Sequence, residues 1–237
     1  MRRIPSGIHG LDELIQGGFP PGKNLLIMGA PMTGKSIMAM QFIYKGLTLG
    51  EAGVFISTND LAENIRRRMI SFGWDTTPYE EEGTMKYVDC YGMMIDSKLR
   101  DTRSIRRVPG ILAFTNLSVV LSELCGQFWK LQKSLRIALD SVSSLLMYAN
   151  PDAVVRFLHV LIGRFKMINA VSMLILEEGM HAKTVEVTLQ QLSDGTLRLV
   201  HKDGGRAMIF LGLAETRCPS GEIPFEITDK GLVIKTQ

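Results

Sequence analysis

Short apolar runs alternate along this chain with longer stretches in which apolar residues recur every three or four positions. The first run, Asn24-Leu25-Leu26-Ile27-Met28, predicts a buried strand, and Ile37, Met38, Met40, Gln41, Phe42 and Lys45 continue into a helix from Ser36 onward. Residues 53–58 predict a second strand. Residues 62–72 predict a helix with Ile65, Met69 and Phe72 along one face, ended by Gly73. Residues 85–89 read as a third strand, whereas 92–116 show no clear period. Leu117, Val120, Leu121, Leu124 and Phe128 place a helix over 117–131. Residues 134–140 form a strand ending in a carboxylate, 153–168 a helix and 171–176 another strand. From about residue 184 the chain reads as short strands and turns, at 196–201, 207–213 and 232–235. Residues 1–23 are rich in turn residues, with one or two helical turns over 11–15.

Strands alternating with helices imply βαβ units. The expected fold is α/β, with a mostly parallel central sheet flanked by helices and a C-terminal antiparallel extension at one edge. No repeat, linker or low-complexity segment divides the chain, so one domain over 1–237 is expected. Ligands of such a sheet bind beyond the carboxyl ends of its strands.

Composition adds limits. The chain has 237 residues, 46% of them hydrophobic, which suffices for one substantial core. The net charge of +3 neither demands nor excludes nucleic acid. Cys90, Cys125 and Cys218 lie far apart without metal-ligand spacing and read as reduced thiols; the 14 methionines read as core filler. His9, His159, His181 and His201 have no partner at metal-ligand spacing. No signal-type segment and no apolar run approaching about 18 residues appears, so a soluble, cytoplasmic protein without membrane insertion is expected.

Chemistry concentrates at Gly29-Ala30-Pro31-Met32-Thr33-Gly34-Lys35-Ser36, a full match to the phosphate-loop pattern. Glycines at 29 and 34 let successive backbone N–H groups turn toward phosphate oxygens. Lys35 supplies charge to the β- and γ-phosphates and Ser36 a hydroxyl to Mg²⁺. The strand before the loop and the helix after it put the anion at a helix N-terminus. ATP or ADP with Mg²⁺ is the expected cofactor.

Such a site needs an acid to orient Mg²⁺. Asp140, closing an apolar strand before Ser141-Val142-Ser143-Ser144, is the candidate; the alternative is that it caps the next helix. Hydrolysis needs a group to orient or deprotonate water. Thr58-Asn59-Asp60, expected at the end of the strand beside the loop, offers Asp60, which is alternatively an N-cap. Glu177-Glu178 is a second carboxylate source, or a solvated loop pair.

These features together resemble the KaiC-type branch of the RecA/DnaB ATPases over nearly the whole chain. Ser6-Gly7-Ile8-His9-Gly10-Leu11-Asp12-Glu13-Leu14 with Gly17-Gly18-Phe19-Pro20-Pro21-Gly22 is similar to that family's opening motif. Phe72-Gly73-Trp74-Asp75, Leu139-Asp140-Ser141 and Pro224-Phe225-Glu226-Ile227-Thr228-Asp229-Lys230-Gly231 are similar to later ones. The resemblance implies a RecA-like P-loop core, assembly into homo-oligomers that are commonly hexameric rings, ATP between subunits, and Thr228 and Asp229 near base and ribose. Two departures bear on activity. Asn59 and Asp60 stand where the family usually has two glutamates, and Gly212-Leu213-Ala214 where a Lys-x-Arg element reaches a neighbour's γ-phosphate. The resemblance therefore implies nucleotide binding with impaired hydrolysis.

Lys98, Arg100, Arg103, Arg106 and Arg107 form a basic segment that reads either as a contact for phosphate backbone or an acidic partner, or as a solvated or inter-subunit surface. Arg66-Arg67-Arg68 reads as a solvated helix face.

Overall fold

The computed structural model describes residues 3–235. A four-residue helix, α1 (Leu11–Leu14), precedes the central strand β1 (Asn24–Gly29) and helix α2 (Lys35–Thr48). Then come β2 (Ala52–Ser57), α3 (Ala62–Ser71), α4 (Thr77–Glu82), β3 (Met85–Asp89), α5 (Gly92–Ile95), β4 (Ile105–Arg107) and α6 (Phe114–Lys130). The second half adds β5 (Leu135–Asp140), α7 (Val142–Tyr148), α8 (Pro151–Met167), β6 (Val171–Glu177) and α9 (Lys183–Leu192). It closes with β7 (Gly195–Lys202), β8 (Gly205–Leu213), β9 (Ile223–Thr228) and β10 (Gly231–Ile234).

The strands form one sheet in the order β10-β9-β8-β7-β1-β6-β5-β2-β3-β4. From β7 to β4 every pairing is parallel, and β8, β9 and β10 extend the β7 edge antiparallel. The period of two within each strand sends alternate residues into two cores. Leu25 and Ile27 of β1 join Met38, Phe42, Ile65 and Met69 on the α2/α3 face. Leu26 and Met28 join Leu121, Phe128, Leu158 and Phe165 on the α6/α8 face. Burial on both faces is why these strands read as continuous apolar runs.

Three sequence expectations need correction. Residues 183–192 are helical, where strands and turns were expected: Val185, Leu189 and Leu192 fall at helical spacing and pack on the second core. The aperiodic stretch holds the short elements α5 and β4. The strand carrying Thr58-Asn59-Asp60 at its end is not beside the loop strand, because β6 and β5 lie between β1 and β2. No helix among the described residues is long and apolar enough to cross a membrane.

Candidate nucleotide site

The loop after β1 has the backbone that its sequence pattern anticipates. Gly29 has φ 155°, and a Cβ there would lie 2.3 Å from the Leu199 carbonyl oxygen. Gly34, at φ 108°, begins α2 in the left-handed region, and a Cβ would press on Ile227 at 2.9 Å. Neither position admits a side chain at its present geometry. Thr33 Oγ1 donates to the Ala30 carbonyl at 2.9 Å, closing the loop internally. Helix α2 has no side-chain cap hydrogen bond, so its first amides face the loop without one. An anion is the natural partner for such an end.

Lys35 is almost fully buried, and its ammonium is held from several sides. It donates to the carbonyls of Gly29 (3.0 Å) and Ala30 (2.7 Å) and lies 2.9 Å from Glu177 Oε2. Parallel pairing of β1 with β6 sets Gly29 opposite Glu177, which brings this carboxylate to the loop. Glu178, beside it, is ion-paired with Arg198 at 2.7 Å.

Asp140 ends β5, the strand next to β6, and is 4% exposed. Burial pushes its carboxyl up from the ordinary aspartate value. A hydrogen bond with the Ser36 side chain and the charges of Arg68 and Lys35 oppose that rise, while Glu177 adds to it. The N-cap role falls instead to Ser141, whose Oγ accepts from the Ser144 amide at 3.4 Å. The Asp140–Ser141 peptide bond is cis. Thr58, at the end of β2, ties the two strand ends: its hydroxyl donates to the Ser141 carbonyl at 2.9 Å and accepts from the Ser141 amide at 2.7 Å.

Asp60 is engaged by its own helix. Oδ1 accepts from the Leu61 amide (2.8 Å) and Asn64 Nδ2 (2.6 Å), and Oδ2 lies 2.9 Å from Arg68 Nη2. Arg68 thereby lines the same cleft, of about 450 Å³, as Pro31, Met32, Gly34, Lys35, Ser36 and Glu177. Of Arg66-Arg67-Arg68, expected as a solvated face, Arg67 and Arg68 are exposed, whereas Arg66 is half-buried and reaches the buried Glu80 at 2.7 Å. The signal for Arg68 was present in the sequence: Asp60, Asn64 and Arg68 recur at a spacing of four.

Thr228 and Asp229 lie elsewhere, on a hollow of about 580 Å³ shared with Gly7, His9 and Gln41. Ile227 packs between the two regions, against Gly34. Gly212 and Leu213 pair with Thr196 and Gly195, at the opposite end of the strands from the loop. In the basic segment, Arg107 is buried against Asp89 and Glu63, Arg106 pairs with Asp101 and Glu123, and Arg100 donates to loop carbonyls.

What the cleft can do follows from its donor set. Loop amides, Lys35 and Arg68 attract phosphate oxygens. Ser36 and Asp140 present hard oxygens, and a divalent cation between them would relieve a buried carboxylate, so the residues fit Mg²⁺. Among the described residues no group of three or more His, Cys, Asp or Glu side chains is placed to hold a metal. A cation here would rely on phosphate and water for its remaining ligands, as Mg²⁺ commonly does.

Comparison with known proteins identifies the family. The family described as "ATPase: KaiC" matches residues 4–237. A UPF0273 protein of Pyrococcus furiosus is 31% identical over 245 residues, covering 99% of this chain and 94% of the relative. One from Aeropyrum pernix is 31% identical, covering 98% and 93%. The crystal structure of a KaiC-like protein from Pyrococcus horikoshii OT3 superposes with a TM-score of 0.80 at 28% identity, covering 99% of each chain. With its mostly parallel sheet, flanking helices and antiparallel C-terminal strands, this chain belongs to the KaiC-like ATPase family, whose domain is of the nucleotide-binding ATPase type.

Proposed function

We propose that this chain, as one domain over residues 1–237, binds Mg-ATP or Mg-ADP and uses the bound state to set its own assembly or its grip on a protein partner, while hydrolysing ATP slowly. In this reading Gly29, Ala30, Pro31, Met32, Thr33 and Gly34 wrap the phosphates with backbone amides. Lys35 meets the β- and γ-phosphates, Ser36 and Asp140 hold Mg²⁺, and ribose and base extend past Ile227 into the neighbouring hollow, where Thr228 and Asp229 face them. When bound, the ion bridges phosphate oxygens and offsets their charge.

One observation carries the reading. The two candidate acids, Asp60 and Glu177, are each held by a cation of the cleft, Arg68 and Lys35, at 2.9 Å. An ion pair lowers a carboxylate's basicity for as long as the cation stays with it rather than with a phosphate. Gly212 and Ala214 bring no charge to a neighbouring subunit. Groups of that kind contribute several orders of magnitude to phosphoryl transfer. Sedimentation of the protein with and without Mg-ATP tests the assembly role: a nucleotide-dependent change of mass, absent in Lys35→Ala, is expected. An unchanged mass, with nucleotide bound, would count against it.

A second reading, an active oligomeric ATPase, is favoured by Glu177 itself, which stays 28% exposed in the cleft and is freed once phosphate takes Lys35. A nucleic-acid role gains little, because Arg106 and Arg107 are committed to ion pairs.

A further inference from the structure

Helix α3 brings a second cation to the phosphate cleft, and its setting differs from that of its neighbours. Arg66 is drawn toward the buried Glu80 and Arg107 is buried against Asp89. The Arg68 side chain, 43% exposed, lines the cleft with Gly34, Lys35, Ser36 and Glu177. Its Nη2 meets Asp60 Oδ2 at 2.9 Å, and the planar guanidinium carries four further N–H donors, about enough to grip a phosphate in two places. Asp60 would not be stranded by losing Arg68, because its other oxygen keeps the Leu61 amide and Asn64.

We propose that Arg68 ligates the terminal phosphate of a nucleoside triphosphate bound in its own chain, exchanging Asp60 for that phosphate, so that the site tells triphosphate from diphosphate. The inference rests on the nucleotide-binding reading above and adds the group by which the bound state is sensed. A diphosphate ends at the phosphates that the loop and Lys35 hold, leaving Arg68 on Asp60. A triphosphate adds charge on the side of the cleft where Arg68 stands, and only then does the Asp60–Arg68 pair open. Helix α3, which that pair spans from Asp60 before its start to Arg68 in its last turn, thereby registers which nucleotide is present.

The test is calorimetric titration of the full chain with Mg-ATP and with Mg-ADP at low salt, for wild type, Arg68→Gln and Arg68→Lys. Arg68→Gln is expected to weaken ATP by about tenfold or more while leaving ADP within about twofold, since a charged hydrogen bond is lost to one ligand only. Arg68→Lys, which keeps the charge and loses the fork, is expected to fall between. Retained ADP binding shows that the variants are folded. Equal weakening of both nucleotides, or unchanged ATP affinity, would overturn the proposal. Wild-type protein that binds neither nucleotide would overturn the underlying reading of the site instead.

Discussion

Lys35 Nζ lies 2.9 Å from Glu177 Oε2, so the cation of the phosphate loop already holds a carboxylate that any incoming phosphate must displace. Register makes the pair: Gly29 and Glu177 are opposite each other at the ends of β1 and β6. Removing the competitor should help binding. Glu177→Gln is expected to tighten Mg-ATP by roughly threefold to tenfold at low salt, less as salt rises. Fluorescence titration of a labelled nucleotide reads this directly. The same variant separates the two functional readings, because a Glu177 that activates water would lose turnover on becoming glutamine.

Asp140 is a buried acid whose ionised form is disfavoured by desolvation. Because its folded-state value lies above the unfolded one, the folded protein gains relative stability when the group is protonated, at low pH. That gain is lost as pH rises through the folded-state value. Asp140→Asn removes the burden. At neutral pH it should stabilise the nucleotide-free protein by on the order of 1 kcal/mol, or about 2–4 °C in melting temperature. Its advantage over wild type should vanish toward pH 4. In the same variant Mg²⁺-dependent nucleotide binding should drop sharply. Thermal melts across pH, paired with titrations with and without EDTA, check both halves.

Arg107 illustrates why a basic stretch in a sequence is weak evidence for a partner. Its guanidinium is buried against Asp89, which is 0% exposed and also accepts from the amides of Tyr91 (2.9 Å) and Gly92 (2.7 Å). Arg107→Met should destabilise the fold by about 3–5 kcal/mol, because it strands a buried charge. Arg103→Ala, on the exposed turn before β4, should stay within about 0.5 kcal/mol. Chemical denaturation of both variants decides the matter. Comparable small effects would return the segment to the role of a free basic surface.

Much of the fold was legible because its strands are buried on both faces and read as apolar runs, as with Leu25–Met28 and the strand ending at Asp140. The loop was legible because its glycines answer a steric demand visible in the pattern itself. The α9 helix was not, because its apolar stripe is only Val185, Leu189 and Leu192 amid polar and β-branched residues. Strand order was hidden as well. The connection from β1 to β2 skips two positions that β5 and β6 fill much later in the chain, and local sequence carries no record of that. This is why Glu177, rather than Asp60, lies against the loop. Arg68 reads in the sequence only as part of a solvated face, because a helix stripe reveals its meaning only when the opposite wall is known.

On the proposed reading this cleft holds Mg-ATP far better than it cleaves it. Equilibrium binding and steady-state phosphate release measured on one sample test it most directly, with Lys35→Ala as the control. Saturable Mg-ATP binding that Lys35→Ala abolishes is expected, with turnover slower than about 0.1 per second, well under the typical enzyme range of about 1–1000 per second. Turnover of about 1 per second or faster, lost in Lys35→Ala, would contradict it.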